Sequence, residues 1–227
     1  MATWDSADLL ARCKALAQRP STDESMPDAT WYQFLSDAQD HWYGVFATHV
    51  PWILMGAPTL LTSSDSNETY DVASGDGTPL AIEVYSAKDG YPLKVCPYWD
   101  SPGGDYVWEG TKIRFPAGKT RSFTSGPYAR YIAQPDVISA AVAPTLAPNW
   151  TRKLLVYDAV AMWATIGGKR DPKPFRTLSQ HAWSGDPSAA GDMGIMGALK
   201  LQNALMGTAA FSQPSGTTLA NIPTIGY

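Results

Sequence analysis

DATWYQFLSDAQDHWYGVFATHV, residues Asp28 to Val50, is the stretch on which the reading of this chain turns. Apolar side chains fall at Trp31, Phe34, Leu35, Ala38, Trp42, Val45 and Phe46. That is the i, i+3, i+4, i+7 recurrence of one helix face. Asp28 or Thr30 is placed to cap the start, because a short side-chain oxygen accepts from the first free backbone N–H groups. Pro51 ends the helix, since the residue before a proline is pushed out of the α region. Gln33, Asp37, Gln39 and Asp40 fall on the polar side. A stripe this wide must be buried against a partner that the rest of the chain supplies.

Working outward toward the N-terminus, Ser6 to Gln18 reads as a first helix with Leu9, Leu10, Cys13, Leu16 and Ala17 on one face. Asp5 or Ser6 is its expected cap, and Asp8 sits well against the helix dipole. A polar connector, Arg19 to Pro27, leads into the central stretch, so the two helices are expected to form a hairpin. Toward the C-terminus the texture changes at Pro58. Thr62 to Thr69 is too polar to pack and reads as a loop. Tyr70–Val72, Leu80–Tyr85 and Tyr91–Cys96 read as strands, the middle one alternating Leu80, Ile82 and Val84 with Ala81, Glu83 and Tyr85. Lys88-Asp89-Gly90 predicts a hairpin turn, as does Glu109-Gly110 within Asp105 to Phe115. Tyr128 to Ala133 adds another strand.

Helices return at Asn149. Trp150, Leu154, Tyr157, Ala161 and Ala164 mark one stripe, with Leu155, Val160 and Trp163 widening it; Gly167-Gly168 is the expected cap. Shorter helices are predicted over Phe175 to Trp183 and Asp192 to Leu205. The expectation is an α+β, mainly α fold: a helical bundle from residues 1–57 and 149–206, a β-rich insert over 58–148 projecting from it, and an extended C-terminal arm over 207–227. The arm cannot bury enough area to offset its own ordering entropy. Phe211, Leu219, Ile222, Ile225 and Tyr227 are spaced along it like anchors for a partner's groove.

Composition narrows the function classes. The chain of 227 residues is 44% hydrophobic and only 17% charged, with a formal charge of −4, so no global basic field grips nucleic acid. Nine Trp and eleven Tyr exceed what one bundle core absorbs and suit interfaces. No secretory leader and no membrane-length apolar run is visible, which points to a protein that begins in a cytoplasm. Cys13 and Cys96 match no metal or redox spacing and read as structural thiols.

No catalytic constellation emerges, and no metal or cofactor is expected. His41 and His49 are eight apart on one helix, which is not zinc-pair spacing, and His181 stands alone. Asp65 to Asp71 alternates oxygens as a calcium loop does, but lacks the glycine and the terminal glutamate. Ile166-Gly-Gly-Lys-Arg170 resembles the end of a phosphate loop, yet closes a helix where a phosphate loop opens one. Lys169, Arg170, Lys173 and Arg176 form the basic cluster: a solvated loop, or a contact for an acidic partner or DNA phosphate.

The phrases Gly126-Pro-Tyr-Ala-Arg-Tyr-Ile-Ala-Gln-Pro135, Gly168-Lys-Arg-Asp-Pro172 and Gly191-Asp-Met-Gly-Ile-Met-Gly-Ala-Leu-Lys-Leu-Gln202, with the helix Trp31 to Gln39, resemble head-to-tail adaptor (connector) proteins of tailed bacteriophages. The resemblance runs over about residues 6 to 206. It implies a structural virion protein: a ring of twelve copies beneath the portal, extending the DNA channel and presenting the tail-attachment surface. It also implies assembly in the host cytoplasm, residence at the head–tail interface, and portal protein, tail proteins and passing genomic DNA as partners. The arm would dock on the portal. A ring subunit needs two heterologous interfaces, for which Tyr32 and Tyr43, flanking the Trp31 and Trp42 stripe, are the expected contributors. A tail-completion or other tail structural protein is the alternative, and an enzyme or carbohydrate-binding module on the aromatic β region a third.

Overall fold

In the computed structural model, residues 4–19, 26–63, 69–72, 81–88, 90–96, 104–109, 111–116, 123, 126–167 and 170–207 are described. The architecture is α+β and mainly helical. Helix α1 (Ser6–Leu16) starts at Asp5, whose carboxylate accepts from the Asp8 backbone N–H at 2.8 Å. Helix α2 (Asp28–His49) starts differently from the expectation. Its N-cap is Pro27, and no side chain caps it. Asp28 instead lies in the first turn, where its carboxylate meets the Lys14 ammonium of α1 at 2.7 Å. Pro51 ends α2 as expected and opens a 3₁₀ turn, Pro51–Ile53.

The α2 stripe is buried at Trp31, Phe34, Leu35, Ala38, Trp42 and Phe46, with Val45 half-buried. Its partner is α3 (Lys153–Gly167), preceded by the 3₁₀ turn Asn149–Arg152. Trp150 therefore sits in that turn, 40% exposed, outside the stripe it was expected to begin. Leu154, Leu155, Val156, Ala159, Val160, Ala161 and Ala164 are all buried, so α3 is covered on several sides. It packs against α1, α2 and α4 (Lys173–Ser184). A last helix, α5 (Gly194–Gly207), follows, burying Ile195 and Leu199.

The chain divides into two compact units, with boundaries after Leu54, Gln134 and Gln202. Residues 135–148, expected within the β insert, thus belong to the helical unit. The reason is Gln39, expected on the polar side of α2 but fully buried. Its amide donates to Asp136 O at 2.8 Å, and its carbonyl accepts from Thr145 N at 2.8 Å and Leu146 N at 3.3 Å. Ser36 Oγ accepts from Ile138 N at 2.9 Å. Arg152 completes the attachment, its guanidinium donating to the carbonyls of Leu146, Trp4 and Pro144 at 2.6, 2.9 and 2.6 Å. Backbone groups of an irregular segment need partners once buried, and these three side chains provide them.

In the other unit, strands β1 (Thr59–Leu60), β4 (Ala81–Tyr85) and β7 (Tyr128–Ile132) form an antiparallel sheet in the order β1-β7-β4. Strands β2 (Thr62–Ser63), β3 (Thr69–Asp71), β5 (Val107–Glu109) and β6 (Lys112–Arg114) form another, ordered β2-β3-β6-β5. Thr62 and Ser63, expected in a loop, are a strand. Strand β4 pairs along its length with β7, with Ala81 opposite Ile132 and Tyr85 opposite Tyr128, while the expected hairpin segment meets its end at the antiparallel bridge of Tyr85 with Pro92.

The segment expected as the hairpin partner of β4 serves to close the unit. Leu93 N donates to Val84 O at 2.7 Å, and Cys96 N donates to Tyr106 O at 2.6 Å. Residues 93–96 thereby link β4 to the start of β5, while β1 and β2, one either side of Leu61, link β7 to β3. The hydrogen bonds run in a circuit through the two sheets. Leu61, Val72, Val84, Tyr106, Ile113, Phe115 and Ala129 fill the shared interior.

Candidate interaction surface

Among the described residues, the end of the α3–α4 connection and the start of α4 bring Arg170, Lys173 and Arg176 together. Pro172 and Pro174 favour a helix start, since neither needs a backbone N–H there. Asp171 Oδ1 accepts from Lys173 N at 2.9 Å. The first turn of α4 has no acid and no side-chain cap, and it bears Lys173 and Arg176, both exposed. Cations at a helix N-terminus oppose the macrodipole at a cost of roughly 0.3–1 kcal/mol each. Among the described residues neither side chain has an ionic or hydrogen-bonding partner.

Arg170 extends this surface. Its guanidinium donates to Gln18 Oε1 at 3.2 Å and lies 5.5 Å from the centroid of the Trp163 ring. Arg19, from the end of α1, lies 5.7 Å from the same centroid, and Trp31 packs against Trp163 at 5.9 Å. Three of the four basic residues singled out in the sequence are therefore placed at one corner of the helical unit; Lys169 lies outside the described residues. Arg19 joins them without any sequence signal, because 150 residues and a fold separate it from Arg170.

The inner face of α4 is held by Trp183, which stacks on Phe46 at 5.1 Å and also contacts Trp42 at 5.4 Å. The outer face is left open: Lys173, Arg176, Thr177 and Gln180 recur at i, i+3, i+4 and i+7, all exposed, with Leu178 beside them 43% exposed. The outer face of α2 has the opposite sign. Gln33, Asp37, Asp40 and Gly44 form its exposed stripe. Gln33 donates to Asp37 at 2.9 Å. The Asp40 carboxyl is raised above the usual carboxylate range, by partial desolvation first and the Asp37 charge second.

Other expected contributors fare differently. Tyr43 is 5% exposed within its own chain and so has no area to give a neighbour; Tyr32 is half-buried. Of the surplus aromatics expected at an interface, Trp31 and Trp42 are buried in the Trp31–Trp163 and Trp42–Phe46–Trp183 groupings, whose Trp163 and Trp183 are half-buried, while Trp150 and Tyr91 are exposed. The arm residues Phe211, Leu219, Ile222, Ile225 and Tyr227 lie outside the described residues, as does most of the calcium-like loop. Among the described residues no group of three or more His, Cys, Asp and Glu side chains is placed to hold a metal. His181 Nδ1 stands 3.9 Å from Asp186 at the surface, and both cysteines are buried.

A groove of about 270 Å³ lies between α1 and α3, lined by Trp4, Arg12, Leu16, Lys153, Val156 and Tyr157 among others. Arg12 covers the Trp4 ring at 4.1 Å and approaches Asp8 at 3.7 Å. No nucleophile and base are paired in it. No described helix is long and apolar enough to cross a membrane. No protein-family model matches the chain, and no curated protein does.

Proposed function

We propose that this protein is a head-to-tail adaptor of a tailed bacteriophage, a structural virion component that forms a ring beneath the portal, extends the DNA channel and offers the tail its attachment surface. The observation that carries the reading is the order of elements. Two helices form the first half of a bundle, the chain leaves it at Leu54 for a closed β module, and returns at Pro135 for α3 and α4. That order, a helical bundle interrupted by a β insert, supports the resemblance carried by the phrases around Tyr128, Arg170 and Met193. The charged outer faces of α2 and α4 suit a part whose work is assembly, and its place is the head–tail interface of the virion.

Co-expression with the portal protein, followed by native mass measurement and top-view electron microscopy, tests the proposal. A closed ring stacked on the portal is expected. A strict monomer that ignores portal overturns it, and binding to tail proteins without portal would move the assignment to a tail-completion protein. Truncation after Gly207 is expected to weaken portal binding and leave the fold intact; unchanged binding removes the arm from the mechanism.

A further inference from the structure

We infer that the outer face of α4 is one half of a heterologous contact between copies of this chain, and that the outer face of α2 on the next copy is the other half. The inference rests on the ring reading and names the surfaces that would build it.

Two exposed stripes that one chain does not satisfy are complementary in charge. On α4, Lys173 and Arg176 are three residues apart, exposed, and set against the helix dipole. On α2, Asp37 and Asp40 are also three residues apart and exposed. Residues at this spacing stand about 5–6 Å apart on a helix surface, so two helices laid side by side can pair both at once. The third acid on α2, Asp28, is already taken by Lys14 at 2.7 Å. No cation meets Asp37 or Asp40 among the described residues, and no acid side chain meets Lys173 or Arg176. The Asp171 carboxylate beside them is engaged with the Lys173 backbone N–H. Each stripe is therefore self-repelling in the isolated chain and relieved by the other. Leu178, on the flank of the α4 stripe, supplies apolar area that a purely electrostatic contact lacks. Because the two surfaces differ, the contact is head-to-tail, the type a ring is built from when its rotation closes.

The test is a charge swap. Lys173→Glu with Arg176→Glu in one variant, and Asp37→Lys with Asp40→Lys in another, change only exposed side chains, and circular dichroism checks that both remain folded. Each variant alone faces like charge with like, so self-association by sedimentation velocity is expected to weaken at least tenfold. Mixed in equal amounts, they are expected to co-assemble alternately, and the chain carrying all four changes to assemble by itself; raising the salt concentration weakens every charge-matched case. Wild-type assembly that both variants retain overturns this interface and leaves the ring reading standing. A wild-type chain that stays monomeric with and without portal overturns both. Loss of assembly that neither the mixture nor the fourfold change restores also overturns the pairing.

Discussion

The indole Nε1 of Trp42 donates to Asp158 Oδ2 at 2.7 Å, joining α2 to α3 across 116 residues of sequence. Trp42 is 5% exposed, so this polar contact lies within the aromatic packing of Phe46 and Trp183. It lets an aromatic side chain fill the space between three helices without stranding its N–H.

Trp42→Phe removes the donor and leaves the Asp158 carboxylate short of a partner. A loss of ~1–3 kcal/mol is expected, read from the denaturant midpoint at unchanged slope. Asp158→Asn keeps an acceptor oxygen at the same place and is expected to cost less. Equal losses for the two would show that the carboxylate's charge, not an acceptor oxygen at that place, carries the contact.

Gln39→Leu tests the attachment of residues 135–148. It abandons Asp136 O and the N–H groups of Thr145 and Leu146 in a buried setting, with an expected cost of about 3 kcal/mol. Hydrogen exchange at Thr145 and Leu146 should accelerate well beyond that at Val84 or Ile113 in the β unit. Uniform acceleration across both units would contradict a local role.

The α4–α5 connection separates two kinds of glycine. Gly194 has φ +59°, and a Cβ there would meet Gly185 N at 2.3 Å and Trp183 O at 2.5 Å. Both obstacles are backbone, so Gly194→Ala is expected to cost on the order of 2 kcal/mol or more. Gly191 has φ +87° but open space around it. Gly191→Ala should cost only about 1 kcal/mol, the conformational penalty alone. Comparable thermal shifts for the two variants would refute the steric argument.

Alkaline pH should weaken the β unit. Burial pushes the Tyr106 hydroxyl up to about 12, and burial with the hydrogen bond to Glu83 at 2.6 Å does the same for Tyr85. In the unfolded chain a tyrosine ionises near 10. Between these values the unfolded state releases protons that the folded state keeps, so stability falls as pH rises, and below the unfolded value this contribution is flat. Denaturation midpoints followed from neutral pH to 12 should show the decline, and Tyr106→Phe should make it shallower. A profile that Tyr106→Phe leaves unchanged would place the alkaline sensitivity elsewhere.

By itself the sequence determined the helices and their order, because each carries an apolar stripe at the period of its own backbone. Trp31, Phe34, Leu35, Ala38, Trp42 and Phe46 are buried as that period requires, and α3 is the partner its apolar breadth demanded. The basic cluster around Arg170 was legible as composition. Periodicity, however, describes one element at a time. It put Gln39 on the polar side, and only the return of residues 135–148 over α2 made that position an interior one. It gave Tyr43 to a neighbouring chain, where packing within the helical unit claims it. It paired β4 with the next segment in sequence, which meets β4 at Tyr85 and Pro92, but it did not foresee that β7, more than forty residues on, pairs with β4 along its whole length. Arg19 beside Arg170 on the Trp163 ring belongs to the same class of fact. Contacts between residues far apart in the chain depend on where the whole fold brings them, and no local spacing encodes that.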